Sequence, residues 1–149
     1  MIIKTITNST AETKKLGQRL VKDIIKKNIQ TQAVIIGLIG ELGSGKTCFT
    51  QGFANGLDIS NKILSPTYVI LKRFQISGSM FHDFYHIDCY RIKAEKEILD
   101  LGFANMCQNP ENIIVIEWAD QIKEILPKQT LFLKFKFINK NKREIKSTL

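Results

Sequence analysis

Residues 34–47 run from the apolar stretch "VIIGLI" directly into "GELGSGKT". An apolar run without polar alternation is what a strand buried on both faces of a mostly parallel sheet requires. Gly40, Gly43 and Gly45 then let the backbone curl and turn its N–H groups inward, a geometry that cradles anions. Phe49, Phe53 and Leu57 follow at helical spacing, so the glycines open a helix whose N-terminus adds partial positive charge.

Residues 40–47 match G-x-x-x-x-G-K-[ST] in the strand-to-helix setting that gives the pattern its meaning. This predicts an α/β fold with a P-loop NTPase-like sheet flanked by helices. The loop, Gly40-Glu41-Leu42-Gly43-Ser44-Gly45-Lys46-Thr47, would hold the phosphates of a nucleotide. Lys46 would reach the β- and γ-phosphates as a point charge, and the Thr47 hydroxyl would sit on Mg²⁺.

The rest of the chain completes the layout. "IIKTIT" reads as an edge strand, and Ser9 and Glu12 have capping-box spacing ahead of a helix. Leu16, Leu20, Val21, Ile24 and Ile25 mark the apolar face of that helix, which is expected to end near Asn28. Gly56 can end the helix behind the loop. "YVILKRF" and "MFHDFYHI" predict an antiparallel hairpin insertion around Ser77-Gly78. Beyond it are expected a helix over 94–103, a strand over 113–116, a helix over 120–126 stopped by Pro127, and a last strand over 131–138. At 149 residues this is the size of one domain, 1–149, with its basic C-terminal region 128–149 included.

Composition excludes several classes. No apolar run approaches the ~20 residues of a membrane span, and nothing marks the N-terminus for secretion, so no membrane partner and a cytoplasmic location are expected. Cys48, Cys89 and Cys107 are widely spaced and form no C-x-x-C pair, which argues against a disulfide framework or a structural zinc site. The net charge is +8. Much of it lies in Lys128, Lys134, Lys136, Lys140, Lys142, Arg143 and Lys146, opposed only by Glu144, a distribution that suits either a solvated face or an anionic partner, RNA included.

A bound triphosphate needs an acid for its metal. "NIIVIEWAD" places Glu117 at the carboxyl edge of a second buried strand, where ligands of open α/β sheets bind. Trp118 either covers the nucleotide or fills core. "HIDCYRI" puts His86, Asp88 and Tyr90 on one face of an extended segment. Asp88 could share the metal or polarise water, and Arg91 could act as an arginine in cis; a surface Asp–Arg pair and a buried hydrogen-bonded histidine are the structural alternatives.

The succession "GELGSGKT", "SPTYVI", "HIDCYR", "EILDLGF" and "VIEWAD" resembles the TsaE family, small bacterial ATPases of tRNA threonylcarbamoyladenosine (t6A) biosynthesis. The resemblance implies that Gly40 to Thr47, with the adjacent Cys48 and with Trp118, bind ATP, and that Thr47 and Glu117 hold Mg²⁺. It also implies that Asp88 assists metal or catalysis, and that Thr67, in Ser65-Pro66-Thr67, belongs to a segment sensing the γ-phosphate. Its implied partners are the TsaB and TsaD proteins, which transfer the threonylcarbamoyl group to tRNA. Contact with tRNA would be indirect, or run through the basic C-terminal region. Cys48 departs from the family's usual second Thr or Ser, and Cys89 from a common Leu. A small-molecule P-loop kinase and a non-enzymatic RNA-binding module are the alternative readings.

Overall fold

Helix α1 (Thr10–Lys27) begins where Ser9 caps it. The Glu12 N–H donates to Ser9 Oγ at 3.1 Å, and the Glu12 carboxylate reaches back to the Asn8 N–H at 2.6 Å. The expected capping spacing is therefore used, with the glutamate bonding one residue earlier than in the reciprocal box. Leu16, Leu20, Val21 and Ile24 are buried, but Ile25 is 39% exposed. One residue is about 100° of helix rotation, enough to carry Ile25 off the buried stripe.

The structure is a computed structural model that describes residues 3–27, 30–61, 63 and 70–148. Among these, seven strands form one sheet: β1 (Lys4–Thr7), β2 (Val34–Ile39), β3 (Leu71–Gln75), β4 (Asp83–Asp88), β5 (Asn112–Glu117), β6 (Leu131–Phe137) and β7 (Arg143–Thr148). Their order is β1-β7-β6-β2-β5-β4-β3. The centre, β6-β2-β5-β4, is parallel, and every residue of β5 is buried, as its unbroken apolar pattern requires. The expected hairpin is present among the described residues, with β3 antiparallel to β4 and Leu71 opposite Ile87, while Tyr68 and Val69 of its first strand lie outside them.

Helices cover both faces of this centre. On one side α1 and α2 (Lys46–Gly56) bury Leu20, Phe49 and Phe53 against Leu133, Phe135 and Ile145. Each such ring contributes roughly 1.5–3 kcal/mol when fully buried. The two helices meet backbone to backbone, since a Cβ on Gly52 would lie 2.1 Å from the Lys14 carbonyl oxygen and one on Gly17 2.5 Å from that of Phe49. α2 ends at Gly56, as expected, and Gly56 also packs closely against Val21. The chain turns after it, at Leu57 and at Asp58, whose φ is +59°. On the opposite side Ile98, Phe103 and Ile122 pack over Ile35, Ile87, Ile114 and Ile116.

Four expectations are corrected. The helix over 94–103 is two short helices, α3 (Lys96–Leu99) and α4 (Phe103–Gln108), because Gly102 takes φ +86° between them. The segment over 120–126 is a 3₁₀ helix, Ala119–Ile125, interrupted at Ile122 (φ −125°). "HIDCYRI" stays extended only to Asp88, so Tyr90 leaves the strand face. The chain also does not end on one long strand: β6 turns back through 139–142 into β7, with Asn139 Oδ1 accepting the N–H groups of Asn141 and Lys142. In β7 only Ile145 is buried, so the segment carries almost no strand signal in its apolar pattern.

Candidate nucleotide-binding site

The parallel strands β2, β4 and β5 end on the same edge of the sheet, and each delivers one part of the site there. From β2 the chain enters the glycine loop. Gly40 has no room for a side chain, since a Cβ would stand 2.6 Å from Ser44 Oγ and 2.7 Å from the Phe135 carbonyl oxygen. Gly45 turns into α2 with φ +104°, in the left-handed region that favours glycine. Arg143 braces the loop from a hundred residues away, its Nε donating to the Gly43 carbonyl at 3.1 Å and its guanidinium lying 4.6 Å from the Phe137 ring centroid.

Lys46, the first residue of α2, is 5% exposed and folds back over the loop. Its ammonium donates to the carbonyls of Gly40 and Glu41 and to Ser44 Oγ, the latter two at 2.8 and 3.3 Å. It also lies 4.4 Å from the centroid of the Trp118 ring. Burial pulls the Lys46 ammonium below the usual lysine range, against the opposing pull of Glu117, Asp88, Asp120 and Glu41. A phosphate arriving here would meet a poorly hydrated cation whose present partners are neutral oxygens.

Thr47 and Glu117 face each other at the end of β5. Thr47 Oγ1 donates to Glu117 Oε1 at 3.0 Å, and Glu117 is 2% exposed. The other carboxylate oxygen, Oε2, is 2.6 Å from His86 Nε2, a ring that is fully buried. His86 Nδ1 has no hydrogen-bond partner among the described residues. An orphaned buried N–H is far rarer than an under-used acceptor, so the ring proton belongs on Nε2, donating to Glu117. Asp88 is the register partner of Glu117 on β4, 7% exposed, with Oδ1 accepting the Tyr90 N–H at 2.9 Å. Tyr90 then packs on Trp118 at a ring separation of 5.0 Å; Trp118 itself adopts φ +58°.

These residues fit a nucleotide phosphate with Mg²⁺. Main-chain amides, an ammonium, a hydroxyl and two neighbouring carboxylates converge on one edge, and the Thr47 proton is directed at Glu117, which leaves the hydroxyl lone pairs for a cation. Magnesium is ordinarily held by one or two protein groups plus phosphate and water, so no cage of three or more acidic or imidazole ligands is needed. No such cage occurs among the described residues.

Other expected site residues lie at the margins. Leu42 is 68% exposed at the loop tip, Cys48 directs its thiol to the Thr10 carbonyl at 3.3 Å, and Arg91 is exposed in the turn after β4. Thr67 and its neighbours Ser65 and Pro66 are outside the described residues. Two contributors escaped the sequence reading. The His86–Glu117 contact was hidden because period-two alternation gives a face but not a partner, and Arg143 because its strand was unrecognised.

The family model described as threonylcarbamoyl adenosine biosynthesis protein TsaE matches residues 7–145. The tRNA threonylcarbamoyladenosine biosynthesis protein TsaE of Bacillus subtilis (strain 168) is 39% identical over 114 residues, 76% of this chain and 68% of its own. That of Rickettsia felis is 33% identical over 139 residues, 93% of this chain and 75% of its own. Among solved structures, one titled "Crystal structure of Bacillus subtilus YdiB" is 30% identical and superposes with a TM-score of 0.71, covering 99% of this chain and 86% of that one. Carrying the glycine loop, the β4 aspartate and the β5 glutamate in a chain matched across nearly its whole length, this protein belongs to the TsaE family.

Proposed function

We propose that the protein binds ATP with Mg²⁺ in the loop from Gly40 to Thr47 and hydrolyses it in the service of tRNA t6A biosynthesis, the process its relatives are named for. The 3.0 Å hydrogen bond from Thr47 Oγ1 to Glu117 Oε1 carries this reading. It joins the hydroxyl of the loop motif to an acid seventy residues away on another strand, the pairing that a metal-bridged triphosphate needs. Lys46 would meet the β- and γ-phosphates, Thr47 and Glu117 would hold Mg²⁺, Asp88 would assist them, and Arg91 would neutralise charge on the phosphoryl group. A metal held there would supply Lewis-acid stabilisation of that charge.

Hydrolysis on this reading drives turnover of a complex with the TsaB and TsaD proteins, and the chain does not itself transfer the threonylcarbamoyl group. Its support is the family membership. Pull-down against the two transferase proteins, with an ATP analogue and then with ADP, tests it; capture should depend on the nucleotide, and capture in neither state refutes the partnership. Lys46→Ala should abolish nucleotide binding or turnover. Glu117→Ala should weaken Mg²⁺-dependent hydrolysis more than nucleotide affinity, and wild-type hydrolysis in both variants would remove these roles.

A further inference from the structure

Lys4, Lys146 and Lys134 are direct cross-strand partners, one on each of β1, β7 and β6. Side chains at register positions of neighbouring strands share a face, and the strands lie ~4.8 Å apart, so three ammonium groups stand in a row ~10 Å long. The next row, two residues along, holds Ile6, Glu144 and Lys136. This is the face opposite the one packed under α1 and α2: Leu133, Phe135 and Ile145 point into the core, while Lys4, Ile6, Lys134 and Lys136 are exposed. Lys134, Lys136, Glu144 and Lys146 also line a cavity of about 720 Å³ that runs toward the loop.

Like charges directly opposite one another in a sheet are destabilising. A lysine on an edge strand is an ordinary guard against strand addition, but that explanation reaches only Lys4, because β7 and β6 are flanked on both sides. Glu144 relieves part of the repulsion through its 3.1 Å contact with Lys146. The strand face still carries four lysines to one glutamate. Glu41 and Asp120 stand at the loop end of the cavity, so the charge is segregated: acidic toward the nucleotide site, basic over the outer strands.

We propose that the face formed by Lys4, Lys134, Lys136 and Lys146 receives the sugar–phosphate backbone of RNA. Cores of protein–protein interfaces are depleted in lysine and enriched in aromatic and apolar anchors, whereas Ile6 is the one large apolar side chain exposed in these two rows. Nucleic-acid interfaces are polar and strongly positive. The rows hold no aromatic platform or arginine fork to read bases, so the contact orients RNA without reading its sequence. Arg143, by contrast, is occupied by the loop carbonyl of Gly43 and by Phe137, and belongs to the nucleotide site. The proposal holds whether or not the nucleotide is hydrolysed.

The test is fluorescence anisotropy of a labelled, unmodified tRNA transcript with the full chain and no nucleotide, repeated over a series of salt concentrations. A Lys4→Gln/Lys134→Gln/Lys146→Gln variant is compared with Lys15→Gln/Lys22→Gln/Lys26→Gln, which removes equal charge from the exposed side of α1. The first should bind on the order of tenfold more weakly at about 50 mM salt and lose roughly two units from the slope of log affinity against log salt. The second should keep both. Thermal melts confirm that each variant folds. Absence of RNA binding by the wild type, an unchanged slope in the first variant, or equal losses in the two variants would each overturn the proposal.

Discussion

His86 Nε2 lies 2.6 Å from Glu117 Oε2, and the imidazole is fully buried behind the carboxylate. With Thr47 on the other oxygen, Glu117 is held at both ends and has one orientation available. Outer partners of this kind typically affect metal affinity or activity by 10–100-fold when removed. His86→Ala should therefore lower the rate of Mg²⁺-dependent hydrolysis by about tenfold or more while nucleotide affinity changes little. His86→Gln, whose amide can place a donor near the Nε2 position, should recover part of the loss. Steady-state hydrolysis across a Mg²⁺ titration separates these effects, and equal losses in Ala and Gln would reduce His86 to a core residue.

Lys46 and Trp118 give a direct optical readout of the loop. Trp118 is the only tryptophan in the chain, and the Lys46 ammonium lies 4.4 Å from its ring centroid. A triphosphate that draws the ammonium toward its own oxygens changes the charge beside the indole. Addition of ATP and Mg²⁺ should shift the emission, and Lys46→Met should abolish the shift. In the absence of nucleotide that variant should also melt higher, because it removes a cation whose desolvation outweighs the attraction of Glu117, Asp88, Asp120 and Glu41. Unaltered emission on saturation would place the nucleotide away from this pair.

The strand and loop of residues 34–47 were legible because one local pattern, apolar run then spaced glycines, determines the conformation. Glu117 was legible from its strand-end position and Asp88 from the alternation along its strand, and the β4–β5 register makes them neighbours. Tyr90 and β7 were not. The turn at Asp88 depends on its carboxylate taking the Tyr90 N–H, and β7 depends on pairing with both β6 and β1, interactions that no local periodicity encodes. The break at Gly102 was misread for a different reason: its left-handed φ lies inside an apolar pattern that continues across it from Leu99 to Phe103.

The α1–α2 contact sets a steric test. A Cβ on Gly52 would sit 2.1 Å from the Lys14 carbonyl and 2.5 Å from its Cα, backbone atoms that cannot rotate away. Gly52→Ala should push the helices apart and destabilise the fold by about 3 kcal/mol, at the upper end of ordinary overpacking. Because α2 begins at Lys46, the same shift should weaken nucleotide binding. Gly43→Ala meets no atom within 4 Å, so its penalty comes only from φ +76° and should be smaller, about 1 kcal/mol. Urea denaturation of the two variants measures the order; a milder effect at Gly52 would contradict the close crossing.

The three cysteines should separate by reactivity. Burial pushes the thiols of Cys89 and Cys107 up to about 12, with Asp88 and Asp120 adding to the effect at Cys89. Cys48 is only partly buried; desolvation raises it too, but Lys14 and Arg143 work against the rise. Since the thiolate is the nucleophile, iodoacetamide at about pH 8 should label native Cys48 on the order of a hundredfold faster than the other two. Bound nucleotide should slow that labelling, because Cys48 follows the loop threonine directly. For Cys89 and Cys107 the native pKa lies above the ordinary value of 9.0, so the folded state keeps protons that the unfolded chain gives up. Their contribution to stability is complete below pH 9.0 and declines as pH rises toward 12. Cys107→Ala should flatten that alkaline decline in the urea midpoint, and peptide mapping showing equal labelling of all three cysteines in the folded protein would refute their burial.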